Sequence, residues 1–301
     1  MDERDVLARR FEVHRGRLIG VAFRLLGSLN DAEDAVQETW IRLDRAGADG
    51  VEELAAWLTT VVGRICLDML RARTTRREVS GDHDLAATAA DESSADPAHE
   101  AILVDSVGRA LLVVLDRLAP AERVAFVLHD MFSVPFDEVA VIVNRTPVAA
   151  KKLASRARLR VSGSDMRSIG DIDLASHRRV VESFLAAARG RNIAGLLEVL
   201  DPDVIRRADA AALPPGTQLE IHGATTVVEE TLLLTRNAMA ADIILIDGRV
   251  GLAVAPRGRL LLVLTFSIKN GLITEYSVVA DAERLRHLDL AIPNSPIRAT
   301  S

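Results

Sequence analysis

Hydrophobic residues recur every three or four positions through most of the first half of the chain. This helical spacing covers residues 6–77 and returns over residues 101–161. Gly27 interrupts the first block, and the glycines at 47 and 50 break it again. The pattern therefore predicts two all-helical blocks, the first with three or more packed helices.

After residue 173 the pattern changes from helices to short apolar runs. Helices are predicted at 174–189, 192–200 and 225–236. Strand-like runs follow at 243–246, 250–255, 260–268 and 272–279. Turn residues separate these runs: Asp247-Gly248, Pro256-Arg257-Gly258 and Asn270-Gly271. Asp-Gly and Asn-Gly favour tight hairpins, so the C-terminal part is predicted to be an α+β unit with an antiparallel meander.

The end of the second helical block has the pattern of two helices joined by a tight turn. Residues 135–161 read PFDEVAVIVNRTPVAAKKLASRARLRV, with a break at Asn144-Arg145. Thr146 can cap the second helix, and Pro147 suits its first position because that backbone N–H would be unpaired anyway. This pattern is typical of a DNA-reading helix-turn-helix.

Charge strengthens that interpretation. The chain has a formal net charge of -6, yet residues 145–167 contain seven Lys or Arg and one acid, Asp165. A local reversal of sign indicates a polyanionic partner. A solvated helix face is the alternative, and the preceding helix with its capped turn favours DNA.

Composition excludes several other classes of protein. The chain has no apolar run long enough to span a membrane, and its N-terminus is charged rather than apolar, so we expect a cytoplasmic protein that does not contact the membrane. Cys66 is the only cysteine and is predicted to be a small core residue, because one cysteine can form neither an intrachain disulfide nor a cysteine zinc site. No metal cluster or nucleophile-base spacing is visible, so no metal, cofactor or catalytic residue is predicted.

Residues 80–100 form an acidic stretch with six acids and no Lys or Arg. Such a composition predicts a mobile linker. We expect its acids to compete with nucleic acid for positive surface. These acids include Asp82, Asp84, Asp91 and Glu92.

The helix predicted from Asp31 to Leu43, DAEDAVQETWIRL, separates an apolar face from an acidic one. The apolar face consists of Ala32, Val36, Trp40 and Leu43. Asp34, Gln37 and Glu38 gather elsewhere on the helix. Ordinary solvated surface and a docking face for a basic partner both explain the acidic face.

The helix predicted over residues 55–78 carries a row of arginines beside its core positions. The core positions are Trp57, Leu58, Val61, Val62, Ile65, Leu67 and Leu70. The arginines are Arg64, Arg71, Arg73, Arg76 and Arg77. They indicate phosphate contact, although Asp68 and Glu78 could pair with some of them along the helix.

These motifs together resemble the extracytoplasmic-function (group 4) sigma factors of the sigma-70 family over roughly the first 160 residues. The quoted segments are DAEDAVQETWIRL, AWLTTVVGRICLDMLR and LAPAERVAFVLHDMFSVPFDEVA followed by the basic helix. The resemblance implies two partners, core RNA polymerase and promoter DNA. The polymerase would be contacted through its beta-prime clamp helices and its beta subunit.

The resemblance also assigns roles to residues. Asp34, Gln37 and Glu38 match region 2.2, which binds the clamp helices. The five arginines from Arg64 to Arg77 match regions 2.3 and 2.4, which melt and read the minus-ten element, and residues 45–53 match the loop that holds a flipped base. Gly63 stands where many relatives carry a polar residue, often Asn.

The basic helix matches region 4.2, which reads the minus-thirty-five element. The residues assigned to this role are Lys151, Lys152, Arg156, Arg158 and Arg160, the last two as phosphate clamps.

The segment from residue 173 onward resembles the SnoaL-like, NTF2-like cone fold. Such cones enclose a pocket that can hold a small-molecule ligand. Arg206, Asp209 and His222 are candidates to line it. In relatives this domain regulates the sigma factor in cis. Many of them carry an Asn-Pro-Asp-Lys-Leu motif near the C-terminus, where this chain reads Ala-Asp-Ala-Glu-Arg-Leu at 280–285.

The predicted fold is multidomain, with two all-α domains followed by an α+β NTF2-like cone. Sigma region 2 is assigned to 1–79, the acidic linker to 80–100, sigma region 4 to 101–165 and the cone to 171–292.

The chain is predicted to be a non-enzymatic sigma factor that binds core polymerase, selects promoters and helps melt DNA, with the cone modulating activity in cis. The alternative is a one-component DNA-binding regulator whose cone senses a ligand. An NTF2-like enzyme with a DNA-binding appendage is not favoured, because no catalytic constellation is found.

Overall fold

The computed structural model describes residues 3–47, 53–80, 103–104, 107–163, 171–233 and 235–293. The chain divides into two compact units. The N-terminal unit comprises residues 1–107, 115–158 and 296–301, and the C-terminal unit comprises 108–114 and 159–295. The predicted acidic linker lies outside the described residues, apart from Ser80.

The first half of the chain is helical, as the apolar spacing predicts. Its helices are α1 (Glu3–Leu26), α2 (Leu29–Ala46), α3 (Leu54–Ser80), α4 (Arg109–Asp116), α5 (Pro120–Phe126), α6 (Phe136–Val143) and α7 (Pro147–Ser162). A π-helical turn, Val127–Met131, follows α5 directly. Ser28 caps α2 by accepting a hydrogen bond from the Asp31 N–H, and Gly47 ends α2 with a positive φ of 73°.

Helices α1, α2 and α3 form an apolar core. Its fully buried side chains include Val21, Phe23, Leu29, Ala32 and Leu58. Each of the valine, leucine and phenylalanine side chains contributes roughly 1.5–3 kcal/mol when it leaves water. Ala32, Val36 and Leu43 are buried as predicted, while Trp40 is half-buried and packs its ring 5.2 Å from that of Phe11.

Cys66 lies in this core with no exposed surface, which confirms its prediction as a core residue. Burial raises the pKa of its thiol to about 12. We therefore expect the folded protein to resist a thiol-specific disulfide reagent at pH 8, since the thiolate is the reactive form. One equivalent should react after denaturation in guanidinium chloride, and rapid stoichiometric reaction of the folded chain would contradict this burial.

The helix-turn-helix is present where the sequence predicts it. Helix α6 ends at Asn144, which adopts the left-handed conformation with φ 54° and ψ 56°. The Thr146 side chain accepts a hydrogen bond from the Ala149 N–H at 3.2 Å, and Pro147 is the first residue of α7. Both the turn and the cap of the basic helix are thus confirmed.

The C-terminal unit is α+β, as predicted. Its helices are α8 (Asp171–Arg189), α9 (Ile193–Val199), α10 (Ala224–Leu233), α11 (Thr235–Met239) and α12 (Ala282–His287). Its strands are β1 (Leu200–Ala208), β2 (Glu220–His222), β3 (Ala241–Ile246), β4 (Arg249–Val254), β5 (Leu262–Lys269), β6 (Leu272–Val279) and β7 (Leu290–Ala291). The sheet order is β2-β1-β6-β5-β4-β3-β7, and apolar residues of α8, α9 and α10 share one buried cluster with the sheet.

The predicted antiparallel meander corresponds to β3, β4, β5 and β6. Asp247-Gly248 and Asn270-Gly271 both have two consecutive positive φ angles, as tight hairpin turns require. Strand β1 was not predicted, and it pairs in parallel with β6. Pro202 and four charged residues interrupt the apolar alternation of β1, and its register with β6 shifts between Leu200 and Ile205.

Candidate nucleic-acid interface

Helix α7 presents a continuous exposed face. Val148, Lys151, Lys152 and Ser155 are exposed, whereas Ala150, Ala154 and Ala157 on the opposite side are fully buried. The small buried alanines let α7 approach the rest of the unit closely. The face that carries Lys151 and Lys152 is therefore accessible from solvent.

Two arginines of α7 are held by carboxylates from outside the helix. The Arg156 Nε donates to Glu122 Oε1 at 2.9 Å, and the Arg158 Nε donates to Asp130 Oδ1 at 2.6 Å. Sequence reasoning assigned both arginines to DNA without detecting either carboxylate. Arg160, the remaining candidate on this helix, is exposed in the last turn.

The arginines of α3 differ in their surroundings. Arg64 and Arg71 are exposed; the Arg64 Nη2 donates to the Val141 carbonyl at 3.2 Å, and Arg71 lies 3.7 Å from the Asp68 carboxylate. The exposed Arg76 donates to the carbonyl of Ala72. Arg77 belongs to α3, but its side chain lies outside the described residues.

Arg73 is engaged within the fold. Its Nη1 donates to the Leu26 carbonyl at 2.8 Å, and its Nη2 forms an ion pair with Asp31. The C-terminal carbonyls of a helix lack partners within the helix, so a cation there is favourable. Arg73 therefore ties α3 to the end of α1 and to the start of α2.

Gly63 lies where α3 packs against α6. A Cβ atom at this position would lie 3.1 Å from Ile142 Cγ2 and 3.4 Å from Leu128 Cδ1. The neighbouring groove has a volume of about 240 Å³ and is lined in part by Arg64, Arg71 and Asn144. Gly63 is thus a close-packing position between α3 and α6.

The three candidates on the acidic face of α2 all reach the surface, to different extents. Asp34 and Gln37 are exposed, and Glu38 is half-buried with its carboxylate 2.9 Å from Arg42 Nε. The spacing of three and four residues places the three candidates on one side of the helix. The predicted flipped-base loop, residues 45–53, lies largely outside the described residues.

The three candidates for lining the cone pocket do not meet at one cavity. Arg206 is buried in an ion pair with Glu230 and also donates to the carbonyls of Gln218 and Leu219. Asp209 accepts hydrogen bonds from the backbone N–H groups of 280 and 281, and His222 is exposed beside Glu220. Arg206 and Asp209 thus join separate segments of the fold, whereas the His222 side chain bonds to Glu220 of its own strand.

Aromatic side chains fill the interior beside the Arg206–Glu230 pair. The rings of Phe184, Phe266 and Tyr276 lie 5.5–5.9 Å apart, centroid to centroid. Burial raises the pKa of Tyr276 to about 12, against the opposing effect of its hydrogen bond to Thr231. A cavity of about 360 Å³ lies along β4, β5 and β6, and its lining includes Arg249, Thr265 and Ser277.

Across the described part of the chain, no three His, Cys, Asp or Glu residues are placed to hold a metal ion. None of the described helices is both long enough and apolar enough to cross a membrane.

Comparison with known proteins gives matches over most of the chain. The family models for Sigma-70 region 2 and Sigma-70, region 4 match residues 10–76 and 108–161. Probable ECF RNA polymerase sigma factor SigI of Mycobacterium tuberculosis is 39% identical over 214 residues, which cover 70% of this chain and 72% of that protein. ECF RNA polymerase sigma factor SigJ of the same organism is 37% identical over 247 residues, which cover 80% and 78%.

Among solved structures, the crystal structure of the M. tuberculosis extracytoplasmic function sigma factor SigJ aligns with a TM-score of 0.44 at 28% identity. The alignment covers 92% of this chain and 98% of that one.

Proposed function

Because the chain belongs to the extracytoplasmic-function sigma factors of the sigma-70 family, which direct RNA polymerase to promoters, we propose which of its surfaces perform each step of initiation. Residues 1–79 act as region 2 and residues 101–165 as region 4, joined by the acidic linker at 80–100. Residues 171–292 form the regulatory domain. Family membership favours an initiation factor over a one-component regulator, which would need no surface for core polymerase.

Core polymerase binds the acidic face of α2. Asp34 and Gln37 are exposed and Glu38 is half-exposed, so their side chains are available to a basic partner such as the beta-prime clamp helices. The beta subunit is the second polymerase contact. This docking brings the DNA-binding helices to the promoter at a raised effective concentration.

The minus-ten element is bound by α3 through Arg64, Arg71 and Arg76, with Arg77 at the end of the row. These arginines contact the backbone and the displaced strand while unpaired bases are captured. Arg73 acts differently from its neighbours, because its guanidinium is already bonded to Leu26 and Asp31. Its contribution to DNA binding is to hold α3 in place.

The minus-thirty-five element is bound by α7. Lys151 and Lys152 lie on the exposed face that enters the major groove, where they meet bases and phosphates. Arg156, Arg158 and Arg160 contact phosphates beside the groove. The observation that carries this proposal is the capped, basic α7 following the apolar α6 across a tight turn.

The C-terminal domain modulates the factor in cis and has no catalytic role. Two of its candidate pocket residues, Arg206 and Asp209, are occupied in contacts that hold the fold together. A small molecule bound elsewhere on the domain, such as along β4 to β6, would act as an effector. The site of action is the cytoplasm, where core polymerase and promoter DNA meet.

Transcription with purified core polymerase tests this assignment. The wild-type chain should produce promoter-dependent initiation, while Asp34→Arg should reduce association with core at least tenfold, since it reverses a charge at the docking face. Lys151→Ala and Lys152→Ala should leave core association intact and weaken promoter complexes. Each should also lower the log–log salt slope by about one if that lysine binds a phosphate.

Matched controls are available on α1. Glu12→Arg makes the same charge reversal as Asp34→Arg at an exposed position, and Arg10→Ala removes an exposed cation as the lysine variants do. Neither should alter transcription. Loss of core association in Glu12→Arg equal to that in Asp34→Arg would contradict the docking face.

A further inference from the structure

Arg156 and Arg158 each use the same nitrogen to bind a buried carboxylate. Their Nε atoms donate to Glu122 and Asp130, whose side chains are only 6% and 2% exposed. A guanidinium has five N–H donors, so four remain on its two terminal nitrogens. Within the residues that the structure describes, those terminal nitrogens donate no hydrogen bond in either arginine.

The two arginines flank the exposed face of α7. At about 100° per residue, Val148, Lys151, Lys152 and Ser155 share one face, and Arg156 and Arg158 lie roughly 80° to either side of it. A helix in the major groove has one sugar-phosphate backbone on each side. Each arginine therefore lies on the side where one strand would pass.

Burial of the Asp130 carboxylate lowers the stability of the fold. Its Oδ2 is buried and makes no hydrogen bond within the described residues. A buried, unsatisfied carboxylate oxygen is unfavourable, and Asp130 lies in the π-helical turn Val127–Met131, a rare conformation that is frequent at functional sites. These features indicate a role for Asp130 beyond stabilising the helix-turn-helix.

We propose that Glu122 and Asp130 are positioning residues that hold Arg156 and Arg158 with their terminal nitrogens directed at the phosphates on opposite sides of the groove. The inference rests on the proposed binding of the minus-thirty-five element by α7. A free arginine loses side-chain entropy when it binds a phosphate, whereas an arginine held at Nε has already lost part of it. The remaining nitrogens keep the paired geometry that suits a phosphate.

The test uses holoenzyme reconstituted from the full chain and core polymerase. The probe is the duplex that wild-type holoenzyme selects most strongly from a randomised library. Asp130→Asn preserves the shape of the side chain and removes its charge. Loss of a negative charge near DNA should by itself strengthen binding. If Asp130 positions Arg158, Asp130→Asn should instead weaken binding of the duplex by roughly two- to tenfold, because Arg158 regains rotamer freedom.

Arg158→Lys provides a second route to the same conclusion. Lysine keeps the charge, but its single ammonium cannot replace a guanidinium that holds Asp130 and a phosphate at once. We expect a similar loss of affinity, a salt slope reduced by about one, and little further loss in the double variant. Glu122→Gln and Arg156→Lys should reproduce this pattern on the other side of the groove.

Asp137→Asn is the matched control, since Asp137 is an exposed acid on α6 that takes no part in the proposal. It should leave affinity unchanged or slightly raised. If Arg158→Lys and Arg158→Ala weaken binding while Asp130→Asn does not, positioning fails and the phosphate contact stands. If no Arg158 variant alters affinity or salt slope, the proposed phosphate contact itself fails.

Discussion

Replacing Glu230 by alanine is expected to lower the free energy of unfolding of the C-terminal unit by about 3–5 kcal/mol. Glu230 is the carboxylate partner of Arg206, whose side chain is 1% exposed beneath α10. Without Glu230, the guanidinium stays buried with only the carbonyls of Gln218 and Leu219 as partners. A buried cation without a counter-charge is the main cause of the expected loss.

Hydrogen exchange of the β4, β5 and β6 amides measures this effect. The matched control is Glu229→Ala, one residue away and exposed, which should change stability by less than about 0.5 kcal/mol. An apolar replacement of both partners, Arg206→Met with Glu230→Leu, should recover much of the loss. Unchanged exchange in Glu230→Ala would contradict the burial of this pair.

The same variant tests regulation in cis. Both tryptophans of the chain, Trp40 and Trp57, belong to the N-terminal unit, so their fluorescence reports that unit alone. We expect their unfolding transition to stay unchanged while promoter-dependent transcription changes. Equal transcription by wild type and Glu230→Ala, despite a destabilised sheet, would remove support for modulation by this domain.

Replacing Arg123 by alanine is expected to destabilise the N-terminal unit by about 3 kcal/mol. The Arg123 side chain is 2% exposed, and its Nε and Nη2 both donate to the Arg24 carbonyl at 3.3 Å. Burial lowers the pKa of Arg123, and the ion pair with Asp116 opposes that effect. Truncation to alanine leaves a cavity. It also leaves the Arg24 carbonyl, near the end of α1, without the guanidinium that donates to it.

Urea unfolding followed by tryptophan fluorescence measures the loss. Asp116 is half-exposed and can be solvated after the substitution, so the expected loss is smaller than for Glu230→Ala. Arg10→Ala removes an exposed arginine of α1 and should shift the transition by less than about 0.5 kcal/mol. A midpoint for Arg123→Ala equal to that of Arg10→Ala would contradict the capping role.

The elements predicted correctly from sequence are those whose signals are local. Thr146 and Pro147 act within one helical turn, and the Asn270-Gly271 turn needs only its own backbone conformation. Strand β1 was missed because its position depends on β6, about 70 residues away in sequence, and because Pro202 weakens its apolar pattern. The π-helical turn after α5 was missed for lack of any periodic signal.

In the candidate interface, too, local relations between residues could be predicted from sequence and contacts between distant residues could not. Spacing alone places Asp34, Gln37 and Glu38 on one face, since the helix fixes their relation. Spacing cannot distinguish Arg73 from Arg71, although Arg73 bonds to the end of α1 and to Asp31, more than 40 residues away. The carboxylates that hold Arg156 and Arg158 likewise come from 34 and 28 residues earlier.

The close packing of Gly63 against Ile142 sets a condition on the length of promoter that the chain can span. Elements centred at minus ten and minus thirty-five are about 25 base pairs apart, or roughly 85 Å of duplex at about 3.4 Å per base pair. A compact domain of about 150 residues has a radius of gyration of only roughly 15 Å. On the proposed assignment, α3 and α6 must separate before α3 and α7 can occupy their two elements together. Separating Ile142 from Gly63 therefore reduces the net free energy of binding to the promoter. The side chain at position 63 then influences promoter affinity through this packing contact.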